Sequence, residues 1–595
     1  MTLRPVADLP RALLGCCVAL AACGDDSSGD GSATDASASA ATTDVAMTDA
    51  ATTGGASTGD ASGTAGTAST GGATTTTTTG DATSEGSGST DATTTDASAT
   101  GDSDSATDGS TGGAEPYPEP DAWGPNQGPG GPQVAFAPEQ LYEKCAYLDG
   151  GMDGDVGGGE KHDTFEHHNH VQMFDGYLLM PWAPEFGLNS GITFYDVSDP
   201  CAPVAVGSAQ DNDMRESHSL GFAEVDGRWY MAANYLKQLS LTDGGILIWD
   251  ITDPKAAKVV SKLKLPGFLY PDAYKLVTLS VFWQYPWLYV AGADNGVYVV
   301  DARDPHAPKL VHQHKFDPIL RAGQVSVVGD VLMVSAAEGT RTALLDISEP
   351  DFPQPIPGGD FDIEAEAYFS NLAGGYGYYT RKQGGGGVIV WDLHDPKAPK
   401  LAGDYLSDGN GGYVFIKDSF AFVGESNFAS IYDVSDLGDI KPVAQMHLTG
   451  DLDTITPIGN VVVLAVDDKS DKDKASAIAP WQEAVDTAPP TVTWSVPAEG
   501  ATVGLRSRIG VTFSEFVDIK SAHAGSVRLY EAGVDPAQGR VDGDLSVQEV
   551  IVHFAPREPL KPATEYTLEI PAGGIVDYNG NAIAAPFTLN FKTGG

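Results

Sequence analysis

The chain has 595 residues, 34 basic against 81 acidic, for a formal charge of −47. A surface that acidic repels nucleic acid and anionic lipid headgroups, so nucleic-acid binding is excluded as a function class. Its acidity suits solubility, Ca²⁺ or cationic partners.

At the N-terminus Arg4 and Arg11 precede an apolar run from Ala12 to Ala22. That run is too short to span a bilayer and has the length of a secretory h-region. It ends in Leu20-Ala21-Ala22-Cys23-Gly24, which resembles the bacterial lipobox. The resemblance implies that residues 1–23 are a lipoprotein signal peptide and that Cys23 becomes the acylated first residue. The N-terminal lipid would then hold the protein to a membrane in the bacterial cell envelope, at the outer membrane or cell surface. Of the five cysteines, Cys145 and Cys201 would remain in the mature chain. An even pair in an exported protein suggests one disulfide, with two unpaired buried thiols as the alternative.

Residues 24–116 are almost entirely Ser, Thr, Ala, Gly and Asp. Up to residue 115 they hold fifteen acidic residues and no Lys or Arg. Such a segment cannot bury enough apolar surface to offset the entropy of ordering, and it reads as a disordered tether.

From residue 117 to 487 one phrase recurs. It appears as Gly191-Ile192-Thr193-Phe194-Tyr195-Asp196-Val197-Ser198-Asp199-Pro200 and as Gly245-Ile246-Leu247-Ile248-Trp249-Asp250-Ile251-Thr252-Asp253-Pro254. Its central Asp returns at 196, 250, 301, 346, 392 and 433, a period of 41 to 54 residues. Polar two-residue turns such as Asp175-Gly176 and Asp226-Gly227 sit between apolar runs upstream of each copy. Four short strands per unit at this period predict β-propeller blades. Six copies are plain. Asp453–Val466 supplies two strands of a seventh unit, with a degenerate third at 475–480 and the segment 134–147 available to close the ring, so seven blades are expected and six is the alternative. Pro stops the third strand and the Asp residues cap its turn, which makes these carboxylates structural. The phrase resembles the LVIVD repeat of exported bacterial proteins, and the resemblance implies the same propeller architecture.

Residues 488–595 carry about seven β-branched and aromatic runs, the pattern of a β-sandwich. Phe513-Ser514-Glu515-Phe516-Val517-Asp518 and Val576-Asp577-Tyr578-Asn579-Gly580-Asn581 resemble the Ig-like domain of bacterial S-layer and surface proteins. That resemblance implies a spacer or adhesion module. The expected fold is therefore all-β: tether, propeller, then Ig-like sandwich.

Two constellations could carry chemistry. His168 and His170 have strand spacing, and His218 with Glu216 falls one blade later. First strands line a propeller channel, so imidazoles converging there with Glu216 or Glu366 would suit a transition metal. Polar lining of the channel is the competing reading. Asp149, Asp153, Asp155 and Glu160 follow part of an EF-hand loop pattern for Ca²⁺, but Gly151 stands where a third ligand belongs, and a flexible Gly-rich loop competes. Asp467, Asp468, Asp471 and Asp473 alternate with lysines and read as a solvated hairpin tip. No phosphate loop, dinucleotide fingerprint or nucleophile elbow occurs. The reading is of a non-catalytic scaffold presenting its propeller to a protein or glycan ligand. Its rival is a metal-dependent hydrolase or oxidoreductase using the channel histidines.

Overall fold

The computed structural model describes residues 117–120, 146–148, 166–167, 170–184, 190–215, 217–237, 243–268, 280–382, 385–467 and 476–595. The first blade is Gln172–Phe174, Tyr177–Pro184, Gly191–Asp196 and Val204–Gln210, each strand antiparallel to the next. Blades two and three run from Gly221–Val225 to Lys258–Lys264 and from Val281–Gln284 to Lys309–His314. Blades four and five share the long strand Gln354–Ala373, outermost in one and innermost in the other. Blade six spans Val414–Lys417 to Lys441–Met446. The seventh consists of Thr454–Ile458, Val461–Ala465 and Ser476–Pro480, and Ala146–Leu148 pairs on its outer edge, Ala146 opposite Ile478. Seven blades form, and a strand preceding the first blade completes the last.

The repeat phrase has a local physical cause at each end. Its first Asp accepts the N–H two residues on in all six copies, at 2.8–3.2 Å. The second Asp of the phrase, before Pro in four copies and before Leu437 in a fifth, does the same at 2.9–3.0 Å. Two such turns in series end the third strand and reverse the chain into the fourth. At the other end, a Cβ on Gly245 would lie 2.1 Å from Leu263 O, and one on Gly387 2.0 Å from Tyr405 O. Only glycine lets the outer strand approach that closely. Between blades the core is apolar, with Trp182, Trp249, Trp283 and Tyr289 fully buried.

The C-terminal residues fold as the expected sandwich. One sheet is Val492–Val496, Ile509–Phe513, Ile551–Pro556 and Gly543–Gln548, and the other holds Arg528–Glu531, Glu565–Ile570 and Phe587–Thr593. This module is not a separate bead. Gly543–Gln548 pairs with the innermost strand of blade two, Ser546 opposite Ala223 and Val547 opposite Phe222, making one continuous eight-stranded sheet. Sandwich residues Ile509, Val511 and Phe554 share a core with Phe174, Phe222 and Trp229 of the propeller. The module expected as a spacer or adhesion domain thus shares a sheet and a core with the propeller.

Cys201 is exposed, while its expected disulfide partner Cys145 and the lipidation candidate Cys23 lie outside the described residues.

Because sheet and core run through both modules, the full chain should unfold in one cooperative transition by scanning calorimetry. Two well-separated transitions, one the size expected of a 105-residue sandwich, would show that the Ig-like module is an independent unit.

Candidate functional site

The turn between first and second strands of every blade lies against the Ig-like domain. In blade one Asp175 accepts from Lys520 Nζ at 2.8 Å, and in blade three Tyr285 N–H donates to Ser546 Oγ at 3.3 Å. In blade four Gly329 N–H donates to His553 Nε2 at 3.3 Å while Arg508 bonds Asp330. In blade five a Cβ on Gly374 would lie 3.6 Å from Thr493, and in blade six Asp418 N–H donates to Ser514 O at 2.5 Å. Gly459 of blade seven abuts Asn579, and blade two contributes the shared sheet. One mouth of the propeller channel is thereby covered.

The tip of the hairpin joining Gly543–Gln548 to Ile551–Pro556 enters that mouth. Its turn residue Glu549 is buried and has φ 55°, a left-handed conformation that favours glycine. A non-glycine residue there costs on the order of 1 kcal/mol in backbone strain. What offsets the strain is the side chain: Glu549 Oε1 accepts from His170 Nε2 at 2.9 Å, and Oε2 accepts from Asn371 Nδ2 at 2.5 Å. Those partners come from blades one and five, so a single carboxylate ties together separate sectors of the ring. Beside it Val550 is fully buried, Gln548 donates to Val281 O at 3.3 Å, and Tyr578 OH donates to Gln172 Oε1 at 2.5 Å.

Of the histidine constellation, His170 and His218 fall among the described residues. His168 and Glu216 lie outside the described residues, as do Asp149, Asp153, Asp155 and Glu160. His170 bonds Glu549 through Nε2, its buried Nδ1 has no hydrogen-bond partner among the described residues, and its ring packs against Phe415 with centroids 6.0 Å apart. His218 is buried, lies 3.2 Å from Tyr368 OH through Nε2 and packs edge-on against Tyr413. Glu366 is half-buried, its carboxyl raised by burial and by Glu338. Among the described residues, the one group of three ligating side chains whose donor atoms all fall within 4.8 Å contains neither histidine.

That group is Asp486, Glu515 and Asp577, all buried where blade six meets the sandwich. Its centre is filled by an ammonium. Lys417 Nζ lies 2.7 Å from Asp486 Oδ2, bonds Glu515 Oε2 and is 3.4 Å from Asp418 Oδ2. Burial disfavours the Lys417 charge, but Glu515, Asp418 and Asp486 more than restore it, so its pKa is raised. Burial pushes Asp577 up to about 6 and holds Glu515 well above the ordinary carboxylate range, against the pull of Lys417. Asp577 is kept in place by N–H donors from Asn579 and Asn581 at 2.8 Å. The cluster is an ion-pair clasp between the two modules. Glu515 and Asp577 sit in the two motifs that carried the Ig-like resemblance, but Asp486, and Lys417 at the end of a propeller strand, gave no sign of their role in the sequence.

Two outcomes follow. Glu549→Ala should cost about 2–4 kcal/mol by urea denaturation, since it leaves His170 and Asn371 buried without their acceptor. Glu549→Gly should cost less than Ala by about 1 kcal/mol, because it relieves the positive φ while losing the same carboxylate. Asp577 binds its proton more tightly folded than unfolded, so its contribution is fully present below its unfolded pKa and is lost as pH rises through about 6. Asp577→Asn cannot titrate. The stability of the natural chain relative to this variant should therefore fall by about 2 kcal/mol between pH 4.5 and pH 7.5. The opposing contribution of His553, pushed down to about 3 by burial, is common to both proteins and cancels.

Residues 486–593 match the family described as a bacterial Ig-like domain. No curated protein matches the chain. Among solved structures it is similar to a protein from Lactobacillus plantarum, at 12% identity over 50% of this chain and 93% of that one, with a TM-score of 0.38. It is also similar to the extracellular domain of a putative one-component system from B. thetaiotaomicron, at 11% identity over 76% and 60%, TM-score 0.38. A hypothetical selenium-binding protein from Sulfolobus tokodaii gives 12% identity over 67% and 91%, TM-score 0.38. At these identities and scores the likenesses carry no argument about ligand or reaction. By its own strands and by the family match, the C-terminal part of this chain is a bacterial Ig-like domain.

Proposed function

We propose that this chain is a lipid-anchored binding scaffold of the bacterial cell envelope, presenting a rigid LVIVD-type propeller to a protein or glycan ligand. The observation that carries the reading is where Tyr117 sits. Tyr117 OH donates to Leu529 O at 2.7 Å, and Arg528 and Arg540 stack over its ring at 5.3 and 5.0 Å. The chain thus enters on the Ig-like domain, which already covers one propeller face. A tether from Cys23 would hold that base towards the membrane and leave the opposite face, built from the other set of interstrand connections, directed outwards. No helix among the described residues is long and apolar enough to cross a membrane. The metal-dependent rival draws less support, because His170 and His218 have protein partners.

Cys23→Ala should move the protein from the membrane fraction to the soluble extracytoplasmic fraction and abolish labelling by an alkyne fatty acid. Retention of the variant in membranes would count against the anchor. Stoichiometric transition metal in the purified chain, together with turnover of a hydrolase or oxidase substrate, would shift the assignment to the rival. Saturable retention of envelope glycans or proteins on the metal-free chain would uphold the scaffold.

A further inference from the structure

On a chain this acidic, arginine converges in one place. A groove of about 670 Å³ runs between the Ig-like domain and the turns of blades two to four. It is lined by Arg303 of the propeller, by Arg506, Arg508 and Arg557 of the sandwich, and by the half-buried Trp287. Its acidic members are Asp226, Asp544 and Glu558, so the lining carries one net positive charge while the chain as a whole is at −47.

Three of the arginines are free to exchange partners. Arg303, Arg506 and Arg557 are more than half exposed and pair with Asp301 at 2.9 Å, Glu349 at 3.9 Å and Asp544 at 2.7 Å. Exposed pairs of this kind are held weakly, and a carboxylate presented in bidentate geometry can displace them. Arg508 is different. Its side chain is only 4% exposed and is fixed by Asp330 at 3.2 Å and by Ile347 O, yet its buried Nε–H has no acceptor. A buried guanidinium donor left without an acceptor at the wall of a groove is a reason to expect an acceptor from outside. Trp287 supplies the second element of recognition, an indole with Arg303 over its ring at 5.8 Å, flanked by Pro286 and Pro350. An aromatic face beside guanidinium groups suits a ring that is apolar on one side and carries a carboxylate at its edge. The volume falls in the range of small-ligand sites. A long polyanion is disfavoured by the acidic surface beyond the groove.

We infer that the groove between the propeller and the Ig-like domain binds an acidic oligosaccharide, one uronate carboxylate seated on the arginines and a sugar face on Trp287. The inference rests on the scaffold reading for its biological sense but not for its test. That site lies at the junction of the modules rather than on the outward face.

Isothermal titration of the full chain with pentamers of galacturonate, mannuronate and guluronate, and with the neutral cellopentaose, decides it. At least one uronate pentamer should bind saturably and at least tenfold more tightly than cellopentaose, and more weakly at 1 M than at 0.1 M NaCl. The double substitution Arg303→Ala, Arg506→Ala should weaken that binding tenfold or more with an unchanged melting temperature, since both side chains are exposed. Trp287→Phe should retain part of the affinity that Trp287→Ala loses. Equal binding of the neutral sugar, a double variant that binds like the natural chain, or no saturable binding of any uronate pentamer would each overturn the inference. Retention of a different envelope ligand insensitive to Arg303 and Arg506 would overturn the groove while leaving the scaffold reading in place.

Discussion

The innermost strand of a propeller blade has one edge that its own blade cannot pair. Seven such edges face the channel, and unpaired backbone N–H and C=O groups there must find water, side chains or another strand. In this chain the edge of blade two is taken by Gly543–Gln548 of the Ig-like domain, through Ser546 opposite Ala223 and Val547 opposite Phe222. Once that pairing is made, the hairpin beyond it has only one direction to run. It brings Glu549 to His170 and Asn371, and Val550 into complete burial. The rest of the interface, from Lys520 on Asp175 to Asn579 against Gly459, is consistent with a sandwich seated by that single strand addition.

Seating the sandwich has an electrostatic consequence. Charges that would be solvated on separate domains are brought out of water together, and each buried charge then depends on its partners. Lys417 answers this by drawing on Asp486, Glu515 and Asp418, and Arg508 by bonding Asp330 and the Ile347 carbonyl. Neither arrangement is complete. Glu515 and Asp577 hold their protons more tightly than ordinary carboxyls, and Arg508 keeps a donor unused. The junction is thus where this molecule stores both its pH sensitivity and its affinity for an outside acceptor, whereas the blades themselves are apolar and closed.

The channel histidines show how far spacing places a polar residue and where it stops. Strand spacing and distance from the hairpin turns put His170 and His218 near the axis, and both are buried. Spacing within one segment could not show that a carboxylate 379 residues away in sequence would bond His170. Nor could it show that Tyr368 and Tyr413 would occupy the surroundings of His218.

The sequence by itself determined what local chemistry controls. The paired Asp turns and the glycine at the start of the third strand are short-range devices: each acts within two residues or against the next strand, so their recurrence revealed the blades and nearly their number. The closing strand Ala146–Leu148 and the degenerate Ser476–Pro480 were legible for the same reason, as strand-forming segments left over at the ends of the repeat. The Ig-like strands were equally plain from their periodicity. One further signal was present: a Gln548-Glu549-Val550 turn without the Gly or Asn that such hairpins favour. What only the tertiary structure decided was how the two modules meet. Strand addition uses backbone groups that every residue carries, and a clasp such as Lys417 with Glu515 joins positions 98 apart. Neither leaves a pattern along the chain, because the atoms that meet are chosen by the folded surfaces and not by spacing.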